Sequence, residues 1–335
     1  MEKVLKDTWK KILSNQKLPL IGTNEPNNGN GYHDRISWQP PISQNKEFDN
    51  EFFHSTFHSI YFRDLGLFIN PSLSRKNKFE KGLKITNRSE NYYNTFLKYL
   101  LNNDYHYRQE DLLYELGKWG EYFSHQGRLI FEIVGWYDNE SARFYGFQLN
   151  HLNIDYCKIS KNDVIYNAPY KMVGDKTIHK KVKISKNKCI IIDFPSELGG
   201  YKGFTNKVKR IKKLGNQFNY LDNPGESLSH AKNWDNQFNR IISDWGASNK
   251  IEDITEFYQE LNIFRFNYMI ISCTHEVISG LKQLIDYLNI KFNENAKVEF
   301  NIQQYDKNYF KNMQNKWMCG ELSFKEANDF FKFLM

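Results

Sequence analysis

The stretch Thr177–Leu214, TIHKKVKISKNKCIIIDFPSELGGYKGFTNKVKRIKKL, decides how the rest of the chain is read. Thr177–Ile184 alternates apolar and charged side chains, which predicts a strand with one buried face and one wet face. Ser185–Lys188 reads as a turn. Cys189–Phe194 is apolar on both faces until Asp193, the pattern of an inner strand of the same sheet. Pro195 ends that strand, because proline cannot donate to the ladder. The following loop, up to Phe204, carries Gly199, Gly200 and Gly203, and Thr205 stands where a helix N-cap belongs. The helix after it places Val208, Ile211 and Leu214 on one face and Lys207, Lys209, Arg210, Lys212 and Lys213 around the rest. Between Lys171 and Lys213, thirteen Lys and Arg stand against three acids (Asp175, Asp193 and Glu197), an excess of ten. The whole chain carries only +7, so the remainder is slightly acidic. A five-charge helix alone can be simply solvated. Ten excess charges on one strand-and-helix unit point instead to a polyanionic partner.

Working outward, 335 residues with 40% hydrophobic and 16% aromatic content can bury a real core and exclude a disordered chain. No run of about eighteen apolar residues exists to span a membrane. The start, MEKVLKDTWKKILSNQ, has no apolar segment of the secretory type. Cys157, Cys189, Cys273 and Cys319 lie far apart without a C-x-x-C pair, which predicts reduced, mostly buried thiols. No internal repeat is present.

Residues 1–49 form an arm: a short basic helix, then a segment broken by Pro19, Pro26, Pro40 and Pro41, whose ordering is expected against a neighbouring subunit. An α+β region with the basic helix spans 50–221. It opens with a helix over 50–64, a turn region at 70–81 and helices over 91–102 and 108–124. Periodicity then changes from 3.6 to 2, predicting a hairpin of 128–137 with 142–149 and short strands at 154–159 and 164–167. A helical region spans 222–335. Within it, 228–245 is helical, and 251–290 is helical for about 60 Å if continuous, so a kink at Gly280 or near Asn262, or an elongated subunit, is expected. A strand at 298–302 follows, then a helix over 306–319 with Gly320 as its C′ residue. Ser323 and Glu326 form a capping box opening a last helix. The fold class is α+β: N-terminal helices, a central antiparallel hairpin sheet and long C-terminal helices.

Catalytic constellations are incomplete. His54 and His58, at i and i+4 with Glu51 nearby, lack a second pair of ligands for a metal. Asp193 and Glu132 could be the paired strand carboxylates that hold Mg²⁺ in a nuclease. However, no E-x-K supplies a lysine, and alternation puts Glu132 on a solvent face. The GGYKGFT loop suggests phosphate cradling, yet the G-x-x-x-x-G-K-[ST] spacing is absent. No Ser or Cys nucleophile has a placed base. No catalytic residue, metal ligand or cofactor is therefore assigned. Lys207, Lys209, Arg210, Lys212 and Lys213 are the candidate DNA-contacting residues.

The order of elements from about residue 90 onward resembles the portal proteins of tailed bacteriophages. The similarity lies in ELGKWGEYFSHQGRLIFEIVGWY followed by FYGFQLNHLNI, in CIIIDFPSELGGYKGF with its basic helix, and in KVEFNIQQYDKNYFKNMQNKWMCGELSFKEANDFF. In the last, Phe300, Asp306, Gly320, Leu322, Ser323, Glu326 and Ala327 occupy the matching places. Two departures stand out: the chain stops just after the last motif, leaving no C-terminal crown, and no small clip insertion is placed between the stem helices. The resemblance implies a wing-like middle region, a stem-like helical region, and a homo-oligomeric ring (a dodecamer for a portal) in a virion. Such a ring conducts double-stranded DNA at a capsid vertex and meets capsid, terminase and tail-adaptor proteins, without a membrane partner and without enzymatic activity. The readings from other classes are a metal-dependent nucleic-acid-processing enzyme built on Asp193 and Glu132, and a simple nucleic-acid-binding module.

Overall fold

A computed structural model of the chain describes residues 31–34, 56–69, 76–101, 109–173, 176–218, 227–247, 255–323 and 325–327. In chain order they form β1 (Gly31–His33), α1 (Thr56–Ile69), α2 (Lys76–Gly82), β2 (Leu83–Thr86), α3 (Glu90–Leu101), α4 (Gln109–Gln126), β3 (Arg128–Asp138), β4 (Phe144–His151), β5 (Cys157–Ile159), β6 (Asp163–Val173), β7 (Lys176–Ser185) and β8 (Cys189–Asp193). There follow α5 (Gly200–Phe218), α6 (Ser227–Ile242), α7 (Glu256–Phe292), β9 (Lys297–Phe300) and α8 (Lys307–Met318). The class is α+β, with antiparallel pairings throughout the described sheets.

Strand β3 is the hub. Its sequence RLIFEIVGWYD is apolar at both parities, so a cover is needed on each side. Strand β4 pairs along one edge, from Phe131↔His151 to Tyr137↔Phe144. The other edge is shared: β8 takes the first half, Arg128↔Asp193 to Glu132↔Cys189, and β1 the last, His33↔Trp136 to Gly31↔Asp138. Leu129, Phe131 and Ile133 enter the main core with the helices. Ile130, of opposite parity, enters a second core with Leu152, Val164, Tyr166, Ile184 and Cys189, under the three-stranded sheet β5–β6–β7. Each fully buried Leu, Ile or Phe contributes about 1.5–3 kcal/mol, which makes this doubly covered strand a main source of stability.

Three expectations are corrected here. The strands 177–184 and 189–194 do not share a sheet: β7 pairs with β6, whereas β8 pairs with β3. A single 3₁₀ turn, Lys186–Lys188, carries the chain from one sheet to the other. Glu132 does not face solvent; it is fully buried, because the second sheet covers that face of β3. Within the arm, Gly31–His33 pairs with the chain's own β3, and Asp34 binds Gly135 N through Oδ1 at 2.6 Å. The rest of the arm lies outside the described residues. Finally, the turn region at 70–81 contains the helix α2, followed by β2, whose partner β9 lies some two hundred residues on.

Helix α7 runs 37 residues, about 55 Å, without a break at Asn262 or Gly280. Gly280 has another use: a Cβ there would stand 2.6 Å from Ile192 Cδ1 and 3.3 Å from Ile190 Cγ2, so the helix lies directly on β8. One turn later Gln283 accepts from Ile191 N (2.9 Å) and donates to Ile191 O (3.0 Å), satisfying the backbone edge of β8 that β3 does not reach. Asp306 caps α8 by accepting from Tyr309 N at 2.7 Å, and Gly320 follows that helix at φ +76°. Ser323 and Glu326 make the reciprocal bonds of the capping box, Ser323 N to Glu326 Oε2 at 2.8 Å and Glu326 N to Ser323 Oγ at 3.3 Å. The main apolar cluster runs from Tyr61 to Ala327 and joins α5 to α6 and β2 to β9 across position 221.

Candidate nucleic-acid interface

The basic helix starts where β8 stops. Pro195 and a 3₁₀ turn (Ser196–Leu198) lead to Gly199 at φ +97° and Gly200 at φ +61°, two successive left-handed residues that only glycine adopts cheaply. They reverse the chain tightly enough for α5 to begin at Gly200, one turn earlier than the sequence suggests. Thr205 is consequently not an N-cap: its hydroxyl donates to Lys202 O within the helix.

Phe204, Val208, Ile211 and Leu214 form the buried stripe of α5. Beneath its first half Phe62, Phe194, Phe204 and Trp245 make an aromatic cluster, with ring centroids 5.1–5.7 Å apart. Further along, the stripe packs on α6. The opposite stripe is Lys202, Asn206, Lys209, Arg210 and Lys213, all exposed. It extends over about 17 Å of helix at 1.5 Å per residue. Helix α5 contains no acidic residue.

The five candidate cations therefore divide. Lys209, Arg210 and Lys213 are exposed and Lys212 is half-buried. Lys207 is turned inward: its ammonium donates to Ile241 O at 2.9 Å, is ion-paired with Asp244, and lies 5.0 Å from the Trp245 ring centroid. Lys202 joins the exposed stripe; a helix begun at Thr205 leaves it in the preceding loop, so spacing alone does not pick it out.

Nearby acids do not neutralise this stripe. Both oxygens of Asp193 are taken by Arg128, Nη2 to Oδ2 at 3.1 Å with Nε on Oδ1, and the Arg128 guanidinium also covers the Tyr201 ring at 4.0 Å. Partial burial, the largest single effect, raises the Glu197 carboxyl, but the hydrogen bond and charge of Lys307 together with further hydrogen bonds outweigh it and hold the group below the usual carboxylate range. Asp193 and Glu197 are thus spent on ties to β3 and α8. Lys188 is spent likewise, on Asp34 Oδ2 at 2.9 Å.

The proposed carboxylate pair is not assembled. Asp193 sits opposite Arg128 and Glu132 opposite Cys189, four ladder positions away, or about 13 Å. Glu132 accepts from Asn150 Nδ2 at 3.3 Å inside the second core. Among the described residues no group of three or more His, Cys, Asp or Glu could hold a metal ion. The side chains of Glu51, His54 and His58 lie outside the described residues. All four cysteines are free, two of them buried, and burial pushes the Cys157 and Cys189 thiols up to about 12, which keeps them protonated at neutral pH. No helix among the described residues is long and apolar enough to cross a membrane. No protein-family model and no curated protein matches the chain.

Proposed function

We propose that the chain is a structural subunit of a portal-like ring at a viral capsid vertex, through which double-stranded genomic DNA passes. The observation that carries this reading is the exposed, acid-free cationic stripe of α5, whose local acids are committed elsewhere in the fold. Such a stripe offers several phosphates a weak, sequence-independent contact, the kind that lets DNA slide. The order of elements adds support. Helix and hairpin, then, after the inserted β5–β6–β7 sheet, the apolar strand, Pro/Gly turn and helix occur in that order over 109–218, and a strand, an Asp-capped helix, Gly320 and the capping box follow over 297–327. On this reading the partners are further copies of the chain in a dodecameric ring, duplex DNA, and capsid, terminase and tail-adaptor proteins within a virion. The separation of Asp193 from Glu132 and the Arg128 fork on Asp193 speak against the nuclease reading.

Solution mass together with negative-stain imaging of the purified chain tests the proposal. A closed ring of many copies that binds duplex DNA and leaves it intact in Mg²⁺ is the expected result. A monomer or dimer refutes the ring, and Mg²⁺-dependent cleavage abolished by Asp193→Ala in a folded protein establishes the enzyme instead.

A further inference from the structure

The sheet β5–β6–β7 spends one face on the second core, where Val164, Tyr166 and Ile184 meet Ile130 and Leu152. Period two sends the alternate positions outward. In register, Lys158, Ile165 and Lys183 form one row across the three strands, and Asn167 and Lys181 form the next. Lys158, Asn167, Lys181 and Lys183 are exposed, as is His179 beyond them, so nothing described covers this face. With about 4.8 Å between strands and about 3.3 Å per residue, the Lys158 and Lys183 backbones stand roughly 10 Å apart and those of Lys181 and Lys183 roughly 7 Å apart. Asp163, half-buried at the end of β6 opposite Ser185, is the one carboxylate among the outward positions of the paired strands.

Three lysines this close, with one peripheral acid, repel one another, and a face needing only solubility would mix both signs. All three stand on the edge strands β5 and β7, where edge protection also favours lysine, but edge protection does not require that they share one face with Ile165 and Asn167 between them and no acid in their rows. Among the register partners of these lysines no Phe, Tyr or Trp occurs, and the ring beside them, Tyr156 at 5.8 Å from His179, is half-buried against the second core rather than free to stack unpaired bases. What fits is a regular array of phosphates read without base contacts. We propose that Lys158, Lys181 and Lys183 form a second backbone-phosphate contact for duplex DNA, separate from the α5 stripe. The inference deepens the proposed function and rests on its duplex partner.

The test uses the full-length protein in its assembled form and a fluorescein-labelled random-sequence duplex, with binding read by anisotropy across a salt series. Lys158→Gln/Lys181→Gln/Lys183→Gln is compared with Lys209→Gln/Arg210→Gln/Lys213→Gln. Each phosphate contact contributes about −0.9 to the slope of log affinity against log salt, so the sheet triple should flatten the slope by roughly 2–3. The arginine triple at the same sheet positions should keep the slope. A slope unchanged by the sheet triple, alongside one flattened by the α5 triple, overturns this inference and leaves the proposed function standing. A wild-type protein that binds no duplex, or a slope that neither triple moves, overturns both. Should the sheet triple misfold, Lys181→Gln alone must reduce the slope by about 0.9, and no change refutes the inference.

Discussion

Lys207 and Lys209 sit two residues apart on one helix, yet the structure gives them different work, and Lys207→Met tests that division. Methionine keeps most of the alkyl stem over Trp245 and deletes only the ammonium. Three interactions go with it. The charged hydrogen bond to Ile241 O, one of the last carbonyls of α6, is worth about 1.5–3 kcal/mol. The ion pair adds less than about 1 kcal/mol, since the Asp244 side chain is 60% exposed. The cation over the indole adds about 0.5–1 kcal/mol. One ammonium makes all three, so they do not simply add, and a loss of about 2–3 kcal/mol is expected. Lys209→Met, on the exposed stripe, should stay within about 0.5 kcal/mol of wild type. Urea denaturation at constant m-value measures both. DNA binding should show the reverse order: Lys209→Met reduces the salt slope by about 0.9 and Lys207→Met leaves it unchanged. If Lys207→Met proves as stable as wild type, or takes 0.9 off the slope, the separation of structural from DNA-facing lysines fails.

Three further outcomes follow from the seating of α7 and from a half-buried imidazole. Gly280→Ala gains about 1 kcal/mol of helix propensity but drives a methyl into Ile192, which is 1% exposed and cannot retreat; overpacking at about 1–3 kcal/mol wins, and Ile192→Val should recover part of the loss. A more stable Gly280→Ala protein would falsify the close contact between α7 and β8. Gln283→Leu strips both partners from Ile191 and should cost roughly 2–4 kcal/mol by thermal or urea unfolding, whereas a near-neutral result would mean that water satisfies this edge. Burial lowers His125 from 6.5 to about 4. Its folded pKa lies below the unfolded value, so the unfolded chain binds the extra proton between these pH values. The stabilisation is complete above about pH 6.5 and declines as pH falls towards 4, by at most about 3 kcal/mol for a ring that is only half-buried. His125→Gln should flatten the pH dependence of unfolding over that window, and an unchanged profile would show that the ring is hydrated.

What could be read from the residues, and what could not, divides by the range of the forces involved. The 128–149 hairpin, the helices over 90–101 and 109–126, the Asp306 and Gly320 bounds of α8 and the Ser323–Glu326 box are set within a few residues, by period and by side chains bonding nearby backbone. The pairing of β2 with β9 is not: Leu83–Thr86 becomes a strand because Lys297–Phe300 is brought beside it by the 37 residues of α7. The burial of Glu132 has a related, long-range cause. Alternation alone sent it outward, but Ile130 and Val134 share its parity, and an apolar run at both parities signals a strand covered twice. That clue was present and outweighed the charge. The candidate interface shows the same limit at one residue's scale. The buried stripe Val208, Ile211 and Leu214 follows from 3.6-residue spacing, and so does the exposure of Lys209, Arg210 and Lys213 opposite it. Lys207 lies on the flank of that stripe, where spacing alone is neutral. Its ammonium turns inward because the end of α6 presents the Ile241 carbonyl there and the turn after it presents a carboxylate and an indole, and nothing within the helix itself encodes those neighbours.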